Sequence, residues 1–357
     1  MIVQYISDED IPVFECVNDE GIKKSFDYKL PIPSDVNKFD IEDYVNQYVV
    51  DLLINPYLSN GADVYCLKYK ECGTIGMVFP VSDLDDNPGI SNEKKYDYFF
   101  IAFYTLLKRL LKEMKWDEIK ESCLSDNFKG NICVCVFNKK QAANDKPLDL
   151  CIHSLRKYGY SYFESNNNVQ KPEGYDGNLY KPKGRTINVD YKEPLLYSNN
   201  MVRIILKELP KASNIIYRFV LLYQIIELLI DRTLTICIDE QYKKFKDDNI
   251  PNNDFLHSIQ EKMSEKARIK DIFDLCNIKG YGESTDFRNK CNILFNDISY
   301  HIENNIEISD LYYKFRNQIT HGYRNLLKYE SDLQIAVQYF ERLTMLIVEK
   351  YPLRIED

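Results

Sequence analysis

The run Arg316-Asn317-Gln318-Ile319-Thr320-His321-Gly322 sets a permanent cation, an amide and an imidazole within six residues. A guanidinium can hold a phosphate through two parallel hydrogen bonds. An imidazole moves a proton near neutral pH. The amide can orient either group. These are the groups that cleavage of a phosphodiester requires when no metal takes part. The run reads as helix, so Asn317 and His321, four apart, share a face. Arg316 and His321, five apart, diverge at about 100° per residue. One copy therefore encloses a site poorly, whereas two copies facing across a twofold axis could form one good site.

The window around the run favours a polyanion. Residues 311–329 contain no Asp or Glu but carry Lys314, Arg316, Arg324 and Lys328. Lys314, Tyr323 and Arg324 are the candidate substrate-binding side chains. A solvated helix face is the plainer reading of the same charges. The aromatic flank of Tyr312, Tyr313, Phe315 and Tyr323 could stack bases, pack a dimer interface or fill a core.

These residues need a scaffold, and the C-terminal pattern supplies a helical one. Ser213 or Asn214 can cap a helix reaching about residue 238. Further helices are expected at 254–276, 285–301 and 309–321, with Gly322 as a C-cap. Ser331 with Gln334 spells a capping box for a last helix. Its stripe of Leu333, Ala336, Val337, Phe340, Leu343 and Ile347 follows the helical period. Five helices joined by loops make a bundle.

The N-terminal half mixes signals. Residues 64–69 and 75–79 read as strands around a hairpin turn at Gly73, and 83–91 as a loop. An amphipathic helix is expected at 98–116, a buried strand at 131–138, a helix at 148–158, a loop at 166–183 and a strand at 184–190. The predicted class is α+β. A mixed α/β domain of residues 1–200 precedes an all-α domain of residues 201–357, with the boundary in the stretch 195–211 that holds Pro210.

Composition narrows the function classes. Net charge is −9, which argues against a general nucleic-acid coat and fits selective RNA capture. Ten Cys occur without a C-x-x-C pair, so no zinc site or disulfide framework is expected, and the chain reads as a reducing, cytoplasmic protein. No signal peptide is visible, and Gln224 and Glu227 interrupt the apolar stretch 219–230, so no membrane partner is expected. Metalloprotease, P-loop, serine-hydrolase and EF-hand motifs do not occur, and neither cofactor nor metal is expected. His153, His257 and His301 read as structural or exposed.

The pattern Arg316-Asn317-x-x-x-His321, followed by Gly322, resembles the signature of the HEPN superfamily. The likeness covers about residues 204–351. Tyr217-Arg218-Phe219-Val220-Leu221-Leu222-Tyr223-Gln224-Ile225-Ile226-Glu227 resembles the first long helix of ApeA-type HEPN proteins, where an aromatic pair, Gln and Glu often take these spacings. The resemblance implies a small helical bundle that pairs its motif helices in a homodimer. It further implies a metal-independent RNA endonuclease of the bacterial anti-phage defence or toxin type. His321 would take the ribose 2′-hydroxyl proton or protonate the leaving oxygen. Arg316 would stabilise the phosphate, Asn317 would orient the phosphate or the ring, and Glu227 would support Arg316. The N-terminal half would then sense, inhibit or select substrate, with a regulatory or antitoxin partner. The rival expectation is a catalytically silent HEPN dimerisation or binding module, in which Arg316, Asn317 and His321 brace two helices.

Overall fold

The computed structural model of the chain describes residues 2–6, 13–34, 36, 40–58, 64–70, 73–85, 93–164, 169, 171–191, 206–247, 251–303 and 305–352, with the side chains of 2–6, 93 and 94 left aside. The fold is mixed: an N-terminal sheet region and a C-terminal helical region. Two compact units divide it, Met1–Asn167 with Gly177–Tyr191, and Asn168–Asp176 with Lys192–Asp357.

In the first unit, β1 (Ile2–Ile6), β2 (Val13–Val17) and β3 (Lys23–Asp27) form an antiparallel meander. After the short α1 (Ile41–Val45) come β4 (Tyr48–Ile54), β5 (Tyr65–Tyr69) and β6 (Thr74–Pro80). The hairpin between β5 and β6 turns on Gly73, whose φ of +85° suits glycine. Helix α2 (Glu93–Glu113) follows, then β7 (Ile132–Asn138), α3 (Lys139–Ala142), α4 (Pro147–Arg156), β8 (Ser161–Tyr162) and β9 (Thr186–Val189). The larger sheet runs β8-β4-β7-β6-β5-β9, antiparallel except for β5 with β9.

Helix α2 carries the core of this unit. Phe99 stacks on Phe79 of β6 at 4.1 Å, and Phe103 meets Phe14 of β2 at 5.3 Å and Tyr28 at 5.0 Å. Each such ring contributes about 1.5–3 kcal/mol by leaving water. The expected helix at 98–116 stops earlier than its apolar pattern suggests, because Trp116 belongs to a separate 3-10 turn, Trp116–Glu118. Alternation along β7 puts Val134 and Val136 in the α2 core and turns Cys133 and Cys135 to the other face.

The second unit is helical. Asn214 accepts from the backbone N–H of Ile216 and Tyr217, both at 3.0 Å, and so caps α5 (Ile215–Asp247). This helix outruns its expected end near residue 238. Its deepest burial stops at Thr233, and beyond it Phe245 stacks on Phe255 of α6 (Asn252–Lys262) at 4.7 Å. The single helix expected at 254–276 is two. Ser264 accepts from Ala267 N at 3.2 Å and opens α7 (Glu265–Leu275), a cap hidden by continuous helical propensity on both sides. Helices α8 (Gly282–Asp297), α9 (Ile308–His321), the short α10 (Tyr323–Leu326) and α11 (Glu330–Lys350) complete it.

The expected capping box at Ser331 and Gln334 does not form. The chain is already helical through Leu326 and the 3-10 turn Leu327–Tyr329, and α11 starts at Glu330 without a side-chain cap. The apolar stripe of α11 is fully buried as its period requires. Phe340 lies at the centre, 4.5 Å from Tyr312, 4.9 Å from Phe219 and 5.5 Å from Phe315. The loop expected at 166–183 is divided between the units. Its Asp176 exchanges two backbone hydrogen bonds with the Gln338 side chain of α11, at 3.0 and 2.9 Å. Among the described residues, no helix is long and apolar enough to cross a membrane.

Candidate functional site

Helix α9 positions the motif. Leu311, Tyr312, Phe315 and Ile319 are buried and fix its rotation against the bundle. Arg316, Asn317 and Thr320 are thereby turned outward, and His321 ends the helix exposed. The N–H of Gly322 closes the last turn on the Gln318 carbonyl at 2.8 Å. A Cβ at Gly322 would lie 3.0 Å from that carbonyl, which explains the glycine without a left-handed φ.

Arg316 is the hub. Its Nη1 donates to Asn317 Oδ1 at 2.9 Å, and its Nη2 reaches Glu265 Oε1 of α7 at 3.1 Å. The guanidinium lies over the Tyr223 ring of α5, 5.1 Å from its centroid. The Tyr223 hydroxyl donates to the same Glu265 oxygen. Burial and then the Glu265 carboxylate push that hydroxyl's pKa upward, so it remains a donor. Arg316 Nε is buried without an acceptor among the described residues. One guanidinium donor is thus unfilled at a buried atom, in a side chain about one-fifth exposed.

Glu227, one turn beyond Tyr223, is exposed. Desolvation raises its carboxyl, Arg316 opposes that, and Glu265 and Asp231 add to it. Glu227 lies within the field of Arg316, but the carboxylate in contact with Arg316 is Glu265. The expected support therefore comes chiefly from α7. On the same helix Arg268 approaches Asp231 at 3.8 Å, and its Nε is also buried without a partner among the described residues.

The other expected site residues fall into two sets. Lys314 and Tyr323 are half-buried, and Arg324 and Lys328 are exposed. Tyr312 and Phe315 are wholly buried, with Tyr312 Oη 3.1 Å from Thr344 Oγ1, so neither is available to stack a base or pack a partner. Glu265 and Arg268 were not singled out in sequence, and Tyr223 entered only as part of the run 217–227. The Ser264 cap, which sets an acid on the first turn of a new helix, was the signal available for Glu265. Among the described residues, no group of three or more His, Cys, Asp or Glu could hold a metal ion.

No protein-family model, curated protein or solved structure matches this chain.

Proposed function

We propose that the helical unit is a HEPN-type, metal-independent RNA endonuclease, of the kind that serves as an anti-phage defence or toxin effector. The hydrogen-bonded pair of Arg316 and Asn317, on a helix ending in an exposed His321, carries this reading. His321 takes the proton of a ribose 2′-hydroxyl. The 2′-oxygen attacks the adjacent phosphorus, and the bond from phosphorus to the 5′-oxygen breaks. That oxygen leaves protonated, by an imidazole acting as acid. The products are a 2′,3′-cyclic phosphate and a free 5′-hydroxyl. The part-exposed guanidinium of Arg316 stabilises the charge on the phosphate. Arg316 and His321 diverge on one helix, so a second copy facing the first supplies the complementary group.

The test is cleavage of total cellular RNA with EDTA present, by the wild type and by His321→Ala. Loss of cutting in the variant supports the reading, and equal cutting by both overturns it.

A second reading has its own observation. Glu265 and Tyr223 already hold Arg316, as a brace between α5, α7 and α9 would. On that reading the unit is a catalytically silent HEPN dimerisation or binding module. No RNA cutting, and no toxicity of either form on expression, would favour it.

A further inference from the structure

We propose that the sheet unit binds a small apolar carboxylate in the cavity beside the C-terminal end of α2; nothing in this depends on the nuclease reading. The cavity measures about 530 Å³, within the roughly 300–1,000 Å³ of small-molecule sites. Leu52 and Ile54 of β4, Leu110 of α2 and Ile132 of β7 line it and are buried, so they form its closed end. Met114, Phe128 and Phe163 also line it but are only half-buried. Three large apolar side chains around an apolar floor leave surface that an aliphatic chain would cover, at about 25 cal/mol per Å² removed from water.

Charge at the mouth selects the head group. Arg109, Glu113 and Lys129 line it, and Glu113 and Lys129 are exposed. Arg109 Nε donates to Glu113 Oε1 at 2.9 Å, which occupies the one acid. Among the described residues, the terminal Nη1 and Nη2 of Arg109 make no hydrogen bond, and Lys129 Nζ has neither hydrogen bond nor ion pair. Two cations against one acid leave a net positive rim with three nitrogens ready to donate. A carboxylate brings two acceptor oxygens and a negative charge to that rim, whereas an alcohol offers one neutral oxygen and a weaker bond. Asp51 also feels the charge of Arg109, but it does not line the cavity. The occupant that satisfies both floor and rim is a short chain or ring ending in a carboxylate.

The experiment is isothermal titration calorimetry of the full chain with octanoate and with 1-octanol, which share a chain length and differ in charge. Octanoate is expected to bind at least ten-fold more tightly than octanol. Lys129→Glu, a change at an exposed position, should weaken octanoate at least ten-fold and leave octanol within two-fold. Met114→Trp, which fills the mouth, should weaken both. Lys112→Glu, an exposed position of α2 outside the cavity lining, should change neither, and circular dichroism checks that each variant is folded. Absence of binding by both ligands overturns the proposal. So does equal affinity for the two, which would leave an apolar cavity without head-group selection. Octanoate binding indifferent to both Lys129→Glu and Met114→Trp would place the site elsewhere and overturn it equally.

Discussion

Two arginines of the helical unit, Arg218 and Arg316, differ in what their surroundings ask of them. Arg218 on α5 is 1% exposed and faces Glu341 of α11, itself 2% exposed. Its Nε and Nη2 meet the two carboxylate oxygens at 2.8 and 3.2 Å, and its Nη1 donates to the carbonyls of Leu209 and Ala212 at 2.7 and 3.3 Å. The Tyr175 ring lies 5.2 Å from it. Among the described residues, Arg316 has one carboxylate contact, one amide contact and a buried Nε with no acceptor, in a side chain 21% exposed. A buried charge survives only when its donors are filled. The first pair meets that demand, and the second leaves a buried Nε unfilled in a guanidinium partly open to solvent. Saturation and full burial mark Arg218 as structural, whereas the part-exposed guanidinium of Arg316 is open to a ligand at its surface side.

Removing Glu341 tests the structural end of the contrast and has the largest expected effect. Glu341→Ala strands the Arg218 guanidinium in the core and should cost about 3–5 kcal/mol. Urea unfolding followed by circular dichroism measures it. A loss under about 1 kcal/mol would mean that solvent reaches Arg218, and the contrast would fail. Arg316→Ala and His321→Ala test the other end. Each should change stability by about 1 kcal/mol or less, since the first breaks a part-exposed ion pair and the second alters an exposed side chain at the end of α9. Each should lower RNA cleavage about 10²–10⁴-fold. Unfolding of Arg316→Ala as severe as that of Glu341→Ala would make Arg316 a brace and favour the silent module.

The sheet unit holds a charge with less support than either arginine. Burial, then Asp149, pushes the Asp51 carboxyl up to about 6 from its ordinary 3.8, with Arg109 opposing. The folded state thus binds the Asp51 proton more tightly than the unfolded chain does. Its stability is highest below the unfolded value and is lost as pH rises through about 6. Asp51→Asn removes the ionised form, so it should stabilise the protein at pH 7.5 by about 2 kcal/mol after allowance for a half-buried side chain. The gain should shrink below pH 6 and vanish below the ordinary carboxylate range. Thermal melts of both forms across that range decide it, and a gain independent of pH would trace the effect to packing.

What was legible in the sequence follows the same division between local and distant causes. The stripe of α11, the strand at β7, the cap at Asn214 and the end of α9 at Gly322 are written in spacings of a few residues. The partner of Arg316 was not. Glu265 lies far from it in the chain, and propensity alone does not break the run 254–276 at Ser264. Nor did local pattern distinguish Tyr312 and Phe315, which face the core, from Tyr313 and Tyr323 beside them, because only the rotation of α9 in the bundle decides that. The strap at Asp176 was illegible for the same reason: Gln338 reads as a polar interruption of an apolar helix until the loop that it binds is known. The N-terminal meander escaped notice because three five-residue strands carry too little periodicity to stand out.

Glu265→Gln has the smallest expected effect and gives the finest test of the contrast between the two arginines. The change keeps an acceptor for Arg316 Nη2 and for the Tyr223 hydroxyl, so geometry is preserved and stability should move by less than about 1 kcal/mol. It removes one negative charge beside the group proposed to hold phosphate. An RNA phosphate then no longer competes with a carboxylate for the guanidinium, and its approach meets less repulsion. KM for a short RNA should fall a few-fold with kcat little changed, and the gain should shrink as salt is raised, since the charge is part-exposed. A rise in KM would show instead that the full carboxylate charge is needed to hold Arg316 over Tyr223. That outcome would move Arg316 towards Arg218 in character, as a residue whose ion pair serves the fold before it serves a ligand.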